Sequence, residues 1–318
     1  MLTRRSFLAL GAGMASLMLA ACDAEGQGQL VSGDPDGIKV IASIYPLYDF
    51  ACKLGEGRAR VTCLVPSGSE PHDWEPSTAD VRRMAEATLF AYNGAGMESW
   101  ADDVLRGLEG GGLASVEASD GLDLIRLSDE AQAEERAEHE QAVASDLDPH
   151  CWLSPLRACQ EMENIASALI EVDPEGSQVY QDNLSRWRDR FQALDQDFRR
   201  TLEPLTHRDL VVSHEAFGYI CADYGLTQVP IEGIEADAEP DAQTMAGIVD
   251  FIRERDVKVV FSEELVSPKV AQSIADATGA RIEELNPLEG LSQEETEAGD
   301  DYFSVMEQNL RKIKEALA

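Results

Sequence analysis

The sequence predicts an α/β chain of two (β/α) lobes joined by one long rigid spine helix, and three observations predict it. From residue 38 short apolar runs alternate with stretches of helical period, the pattern of strands and the helices that cover them. The alternation stops and then begins again near Asp209. Between the two sets, Tyr180, Leu184, Trp187, Phe191, Leu194, Phe198, Leu202 and Leu205 recur at steps of three and four, one apolar stripe along a continuous helix. With 318 residues, 44% hydrophobic and 27% charged, the chain has the length and composition for such a body.

The elements follow in order. Residues 1–22 read MLTRRSFLALGAGMASLMLAAC: paired arginines, an apolar run too short for a confident membrane span, then small residues before Cys22. The segment from Thr3 to Leu8 resembles a twin-arginine export signal, and Leu19-Ala20-Ala21-Cys22 resembles a lipobox. That resemblance implies that residues 1–21 are a removed signal peptide and that Cys22 is the lipid attachment point. An uncleaved anchor helix is the alternative. Either reading places the body outside the cytoplasm, tethered to a membrane. Residues 22–37, rich in Gly and Asp, are expected to form a flexible leash.

The N-terminal lobe is assigned to residues 38–171, with strands at 39–43, 60–65 and 88–92 and helices at 48–54 and 79–85. Its segment 127–149 holds eight acids and one arginine and reads as a solvated loop; its His139 leaves weak cation collection open. The spine takes residues 172–206, with Asp173 able to cap it and Pro174 suited to its first turn. In the C-terminal lobe, 207–318, strands are expected at 210–212, 257–261 and 281–285. Helices are expected from Ala216, at 245–255, at 268–278 and at 301–317. Residues 291–301, with five acids and no base, read as a second solvated loop.

The charge balance is the oddest number: 26 Lys+Arg against 60 Asp+Glu, a net −34. Loss of residues 1–21 would remove two arginines and no acid and leave the body more acidic still. Nucleic acid is excluded as a partner, because binding it requires basic residues to neutralise phosphates. Adaptation to a salty medium, where screening removes self-repulsion, is the main reading of the acids; cation collection is the second. Cys52, Cys63, Cys151, Cys159 and Cys221 are an odd number with no CxxC spacing. They are expected to be buried thiols, with a Cys52–Cys63 disulfide as the alternative.

Five histidines occur, and three sit where loops meet regular elements. His72 lies in Pro-Ser-Gly-Ser-Glu-Pro-His-Asp-Trp-Glu-Pro-Ser after a strand, His150 in Asp-Pro-His-Cys-Trp-Leu before a helix, and His214 in Val-Val-Ser-His-Glu-Ala-Phe-Gly-Tyr at a strand end. Ligands of open α/β sheets bind beyond the carboxyl ends of strands, so two of the three stand at favoured positions. Any one alone is more often a structural histidine than a ligand.

These three segments, with Asn-Gly-Ala-Gly-Met-Glu-Ser-Trp at 93–100, Ser-Glu-Glu-Leu-Val-Ser-Pro-Lys at 262–269 and Leu-Asn-Pro-Leu-Glu-Gly at 285–290, resemble the zinc/manganese solute-binding lipoproteins of ABC importers. The similarity runs in order over residues 38–318. It implies one metal ion held between the lobes, most simply Zn²⁺ with Mn²⁺ or Fe²⁺ as the alternative, and delivery to an ABC permease and its ATPase by a monomer. Carried over by position, it implies His72, His150, His214 and Glu289 as ligands. Asn286 is an alternative to Glu289, and Glu263 and Glu264 are supporting carboxylates. Many relatives have Asp where this chain has Asn286, and many carry a His-rich loop where this chain has the acidic segment 127–149.

Three imidazoles and one carboxylate suit tetrahedral Zn²⁺, whereas Mn²⁺ prefers more oxygen donors. The net positive charge left at such a site is expected to be offset by nearby Asp73, Glu75 and Glu215. Affinity is expected to fall as pH drops through about 6.5, where histidine protonates. An enzyme is not expected: no HExxH or GxSxG occurs, and the three histidines stand 78 and 64 residues apart. A surface adhesin is the remaining alternative class.

Overall fold

The computed structural model describes residues 29–127, 145–234, 240–263 and 267–318. Cys22, His139, Glu264 and most of the 127–149 segment lie outside the described residues, as does the whole of 1–21.

In the N-terminal lobe five strands, β1 (Val31–Gly33), β2 (Ile38–Ala42), β3 (Ala59–Cys63), β4 (Leu89–Tyr92) and β5 (Ala114–Glu117), form a sheet in the order β1-β3-β2-β4-β5. All pairings are parallel except β1 with β3. β1 arises within the segment expected to be a leash. Val31 pairs with Thr62 there, on the sheet edge, so the backbone and not an apolar side-chain pattern holds it in place. Around the sheet lie α1 (Tyr45–Leu54), α2 (Thr78–Ala85), α3 (Ala101–Leu108) and α4 (Pro155–Val172). Val40, buried, pairs with Val61 and Leu89, which places the centre of the sheet in the core.

The C-terminal lobe has four parallel strands, β6 (Asp209–Val212), β7 (Thr227–Pro230), β8 (Val259–Ser262) and β9 (Arg281–Glu284), in the order β7-β6-β8-β9. The chain runs from β6 to β7 on one side and returns to β8 on the other. The crevice where strand order reverses therefore lies between the carboxyl ends of β6 and β8, the favoured ligand position of such sheets. His214 follows β6 and Glu263 follows β8 directly. The lobe's helices, counted on from α4 and the spine α5, are α6 (Gly218–Tyr224), α7 (Ala242–Arg255), α8 (Lys269–Thr278), α9 (Gln293–Ala298) and α10 (Tyr302–Leu317).

The spine α5 runs over Ser177–Leu202, 26 residues, or about 39 Å at 1.5 Å per residue. A short 3-10 turn, Pro174–Gly176, precedes it. Asp173 does not cap that turn: its carboxylate is taken by Arg58 at 2.8 and 2.9 Å and by the Tyr180 hydroxyl at 2.6 Å. The expected apolar stripe is core. Tyr180, Phe191, Leu194, Phe198 and Leu202 are buried, and Phe191 meets Phe50 of α1 at 5.7 Å and Tyr302 and Phe303 of α10 at 5.4 and 4.8 Å. One aromatic cluster thus joins the first helix of one lobe to the last helix of the other. The acidic segment 291–301 is not simply a loop: Ser292 and Glu295 form a capping box that starts α9. The five described cysteines are free thiols, so Cys52 and Cys63 are unbridged.

A buried polar layer lies behind the β-strand ends. Asn93 donates to the Pro149 carbonyl at 2.9 Å, and Glu98 accepts from the Asn93 and Gly94 amides at 2.9 Å each. Glu161 of α4 is fully buried, and among the described residues only the Cys151 thiol donates to it, at 3.2 Å. Burial, with the charge of Glu98 adding to it, pushes its carboxyl from 4.5 up to about 8. An acid whose folded pKa is raised stabilises the fold least when ionised, so the contribution of Glu161 is greatest below about 4.5 and declines as pH climbs toward 8. Glu161→Gln should remove this slope. In urea unfolding at pH 5.5 and pH 8.5 the parent chain should lose more stability with rising pH than the variant; equal losses would contradict a buried neutral Glu161.

Candidate metal centre

Four side chains from four loops converge between the lobes. The loop after β3 carries His72; Gly68 there takes φ +77°, a conformation that lets the chain reverse before the ligand-bearing stretch. His150 stands at the start of the 3-10 turn Cys151–Leu153. Its conformation is set by Asp148, whose Oδ1 accepts from the His150 amide at 2.9 Å and pairs with ring Nδ1 at 2.8 Å. His214 leaves β6 into the crevice, with Glu263 Oε1 accepting from its amide at 3.2 Å and Oε2 pairing with Nδ1 at 2.7 Å. Glu289 arrives on the loop after β9.

In both buried pairs the carboxylate takes Nδ1, which turns Nε2 of each imidazole inward. The inward atoms meet closely. Nε2 of His150 lies 3.2 Å from that of His72 and 3.3 Å from that of His214. Glu289 Oε1 lies 3.3, 3.0 and 3.2 Å from Nε2 of His72, His150 and His214. The sixth separation, His72 to His214, stays within 4.8 Å. A tetrahedron with bonds of roughly 2.05 Å has edges of about 3.3 Å, so five of the six separations suit a Zn²⁺-sized tetrahedral cage. His150 and His214 are fully buried, Glu289 is 2% exposed and the His72 side chain 7%; the cage meets solvent on the His72 side.

The structure brings His72, His150, His214 and Glu289 together and places the other expected residues around them. Asn286 points away: its Oδ1 accepts from the Leu288 amide at 2.6 Å and its Nδ2 donates to Glu295 at 2.9 Å, so it builds the loop that delivers Glu289. Glu263 orients His214. Asp73 and Glu75 are exposed, and among the described residues Asp148, Glu263 and Glu70 are carboxylates that face the cluster. Sequence reasoning missed Asp148, although its place two residues before His150 in Asp-Pro-His was a usable signal. It missed Glu70 as well, which accepts from the His72 amide at 3.3 Å.

Charge explains how such a cluster stays folded. Burial disfavours every ion here, yet the charges of Glu263 and Glu289 outweigh it at His214 and raise its pKa well above the ordinary value; Asp148 and Glu289 raise that of His150. Against its own burial, Glu289 is held well below the carboxylate range by His214, His150 and His72. Burial lowers His72, and the neighbouring His150 and His214 add to that. Burial and the Glu289 charge raise Glu70 to about 8.

Residues 40–316 match the family described as zinc-uptake complex component A, periplasmic (ZnuA). The chain belongs to that family. It is 37% identical over 301 residues to the high-affinity zinc uptake system protein ZnuA of Bacillus subtilis, covering 95% of this chain and 94% of that one. It is 34% identical over 285 residues to the zinc-binding protein AdcA of Streptococcus pyogenes, of which it spans 55% of the length. The Zn(II)-bound ZnuA-like domain of Streptococcus pneumoniae AdcA superposes with a TM-score of 0.75 at 31% identity, over 88% of this chain and 99% of that domain. The ZnuA family thus shares the two sheet-containing lobes and long helix described above.

A cation entering the cluster must displace protons from His150 and His214, whose folded pKa values are raised. Affinity should therefore begin to fall above pH 6.5, earlier than free histidine would dictate, and Zn²⁺ binding near neutral pH should release protons. Titration calorimetry in buffers of different ionisation enthalpy measures this as a slope. A flat response would contradict it, and Glu263→Gln should reduce the slope.

Proposed function

We propose that this chain captures Zn²⁺ outside the cytoplasm and delivers it to the permease of an ABC importer. The observation that carries the reading is the cage itself: three imidazole nitrogens and one carboxylate oxygen, five of whose six separations are 3.0–3.3 Å. His72 and His150 are the ligands from the N-terminal lobe; His214 and Glu289 are those from the C-terminal lobe. Borderline-soft nitrogen donors in a four-donor cage favour Zn²⁺ over Mn²⁺, which seeks more oxygens and higher coordination. Membership of a zinc-uptake family supports the same choice.

Delivery, not catalysis, suits the donor set. A hydrolytic zinc site keeps one position for water, and here Glu289 supplies the fourth donor. Because α5 shares one aromatic cluster with α1 and α10, wide separation of the lobes would expose apolar surface; small shifts of the ligand-bearing loops are the motion this architecture permits. We assign residues 1–21 to the signal peptide, Cys22 to lipid attachment and the chain to the outer face of the cytoplasmic membrane. The relatives include a protein named as a zinc-binding lipoprotein, in Streptococcus pneumoniae, which supports the anchor.

His214→Ala should weaken Zn²⁺ binding by at least 100-fold in a competition titration against a chelator. It should also fail to restore zinc-limited growth to a strain lacking the gene. Wild-type affinity in His214→Ala would overturn the four-donor site, and tighter binding of Mn²⁺ than Zn²⁺ by the parent would overturn the choice of metal.

A further inference from the structure

His150 and Glu289 come from different lobes, 139 residues apart, yet their loops are tied directly. Trp152, two residues after His150, is fully buried and donates its indole Nε1–H to the carbonyl of Pro287, two residues before Glu289, at 2.8 Å. Its ring packs on the His150 imidazole with centroids 5.3 Å apart. Its own carbonyl accepts from the Tyr302 hydroxyl of α10 at 2.7 Å. One side chain therefore touches the ligand of one lobe and the loop of the other.

That loop is held against its own preference. Leu288, fully buried, takes φ +61°, a left-handed conformation that a branched side chain rarely adopts and that persists only where the surroundings over-determine it. The determinants are visible. Asn286 accepts from the Leu288 amide at 2.6 Å, and Asn309 of α10 clamps Asn286 from both sides, accepting from its amide at 3.1 Å and donating to its carbonyl at 2.6 Å. These contacts hold the loop within the C-terminal lobe; the Trp152 bond holds it to His150.

We propose that Trp152 is a positioning residue that sets metal selectivity by fixing the distance between His150 and Glu289. The inference rests on the four-donor reading of the site. With the loop clamped, one Glu289 oxygen stays close to all three imidazoles, a cage suited to four short bonds. Mn²⁺ would need the cage to widen and further oxygens to join, and the clamp resists both. Releasing the clamp weakens Zn²⁺ binding more than Mn²⁺ binding.

The test compares Trp152→Phe, which keeps an aromatic ring and removes the N–H, with the parent protein in titrations of Zn²⁺, Mn²⁺ and Co²⁺. Zn²⁺ affinity should fall about 10- to 100-fold, as for other groups that orient metal ligands. The Zn²⁺/Mn²⁺ affinity ratio should fall about tenfold, and the strong visible absorption of tetrahedral Co²⁺ should lose intensity. Tyr302→Phe, which keeps the indole and frees its carbonyl, should shift the ratio the same way by less. In a Glu289→Ala background Trp152→Phe should add little further loss. An unchanged ratio and Co²⁺ spectrum, or equal losses for both metals, would overturn the proposal; if Trp152→Phe does not fold, an unchanged ratio in Tyr302→Phe does so. Wild-type Zn²⁺ affinity in Glu289→Ala would instead overturn the four-donor site, a separate failure.

Discussion

The structure depends on one buried carboxylate. Glu289 is almost wholly removed from water, and an unpaired charge there would carry a desolvation penalty of several kcal/mol. It is tolerated because three imidazoles from two lobes surround it within 3.3 Å. Each lobe alone would hold its share of the cluster less well, although each keeps one histidine–carboxylate pair of its own. Without Glu289, His150 would keep Asp148 but His72 would lose the carboxylate that meets its ring, and Glu289 without them would keep only His214. The lobes must therefore meet, and the fold is arranged so that they do.

Two layers enforce the meeting. Far from the cage, the aromatic cluster of Phe50, Phe191, Tyr302 and Phe303 merges the cores of the two halves along the spine. On the same flank Lys53 bridges Asp49 of its own helix and Asp301 at the start of the last helix, at 2.6 and 2.9 Å. Close to the cage, Asp148 and Glu263 turn two imidazoles inward, and Trp152 joins the loops of His150 and Glu289. Rigidity at both ranges is the condition for a cage whose donors already stand at bonding separations, so little ordering remains when the ion arrives.

The legibility of these features followed their range in sequence. Alternating apolar runs foretold six of the strands, and the stripe from Tyr180 to Leu202 foretold the spine. Strand β1 was missed because three residues paired on a sheet edge leave no periodic signature. The helix at Gln293–Ala298 was missed because five acids outweighed a Ser292–Glu295 capping box that the sequence does contain. Asp173 looked like a helix cap by local rule, yet Arg58, 115 residues away, claims it. At the cage, the histidine contexts were distinctive enough to single out three donors. The choice between Asn286 and Glu289 could be argued only by resemblance, since each could have faced the crevice.

Residue types and local spacing thus determined, by sequence alone, the α/β class, the spine, the acidic surface and the nitrogen-rich donor set, because each depends on chemistry or on contacts a few residues away. Tertiary structure alone decided which carboxylate joins the histidines, which acids orient them and how the two halves are locked. Those outcomes depend on Asn309 gripping Asn286 and on Trp152 reaching Pro287 across 135 residues. No periodicity encodes such a pairing. It exists only once packing has brought the segments together, where a buried polar group either finds a partner or destabilises the fold.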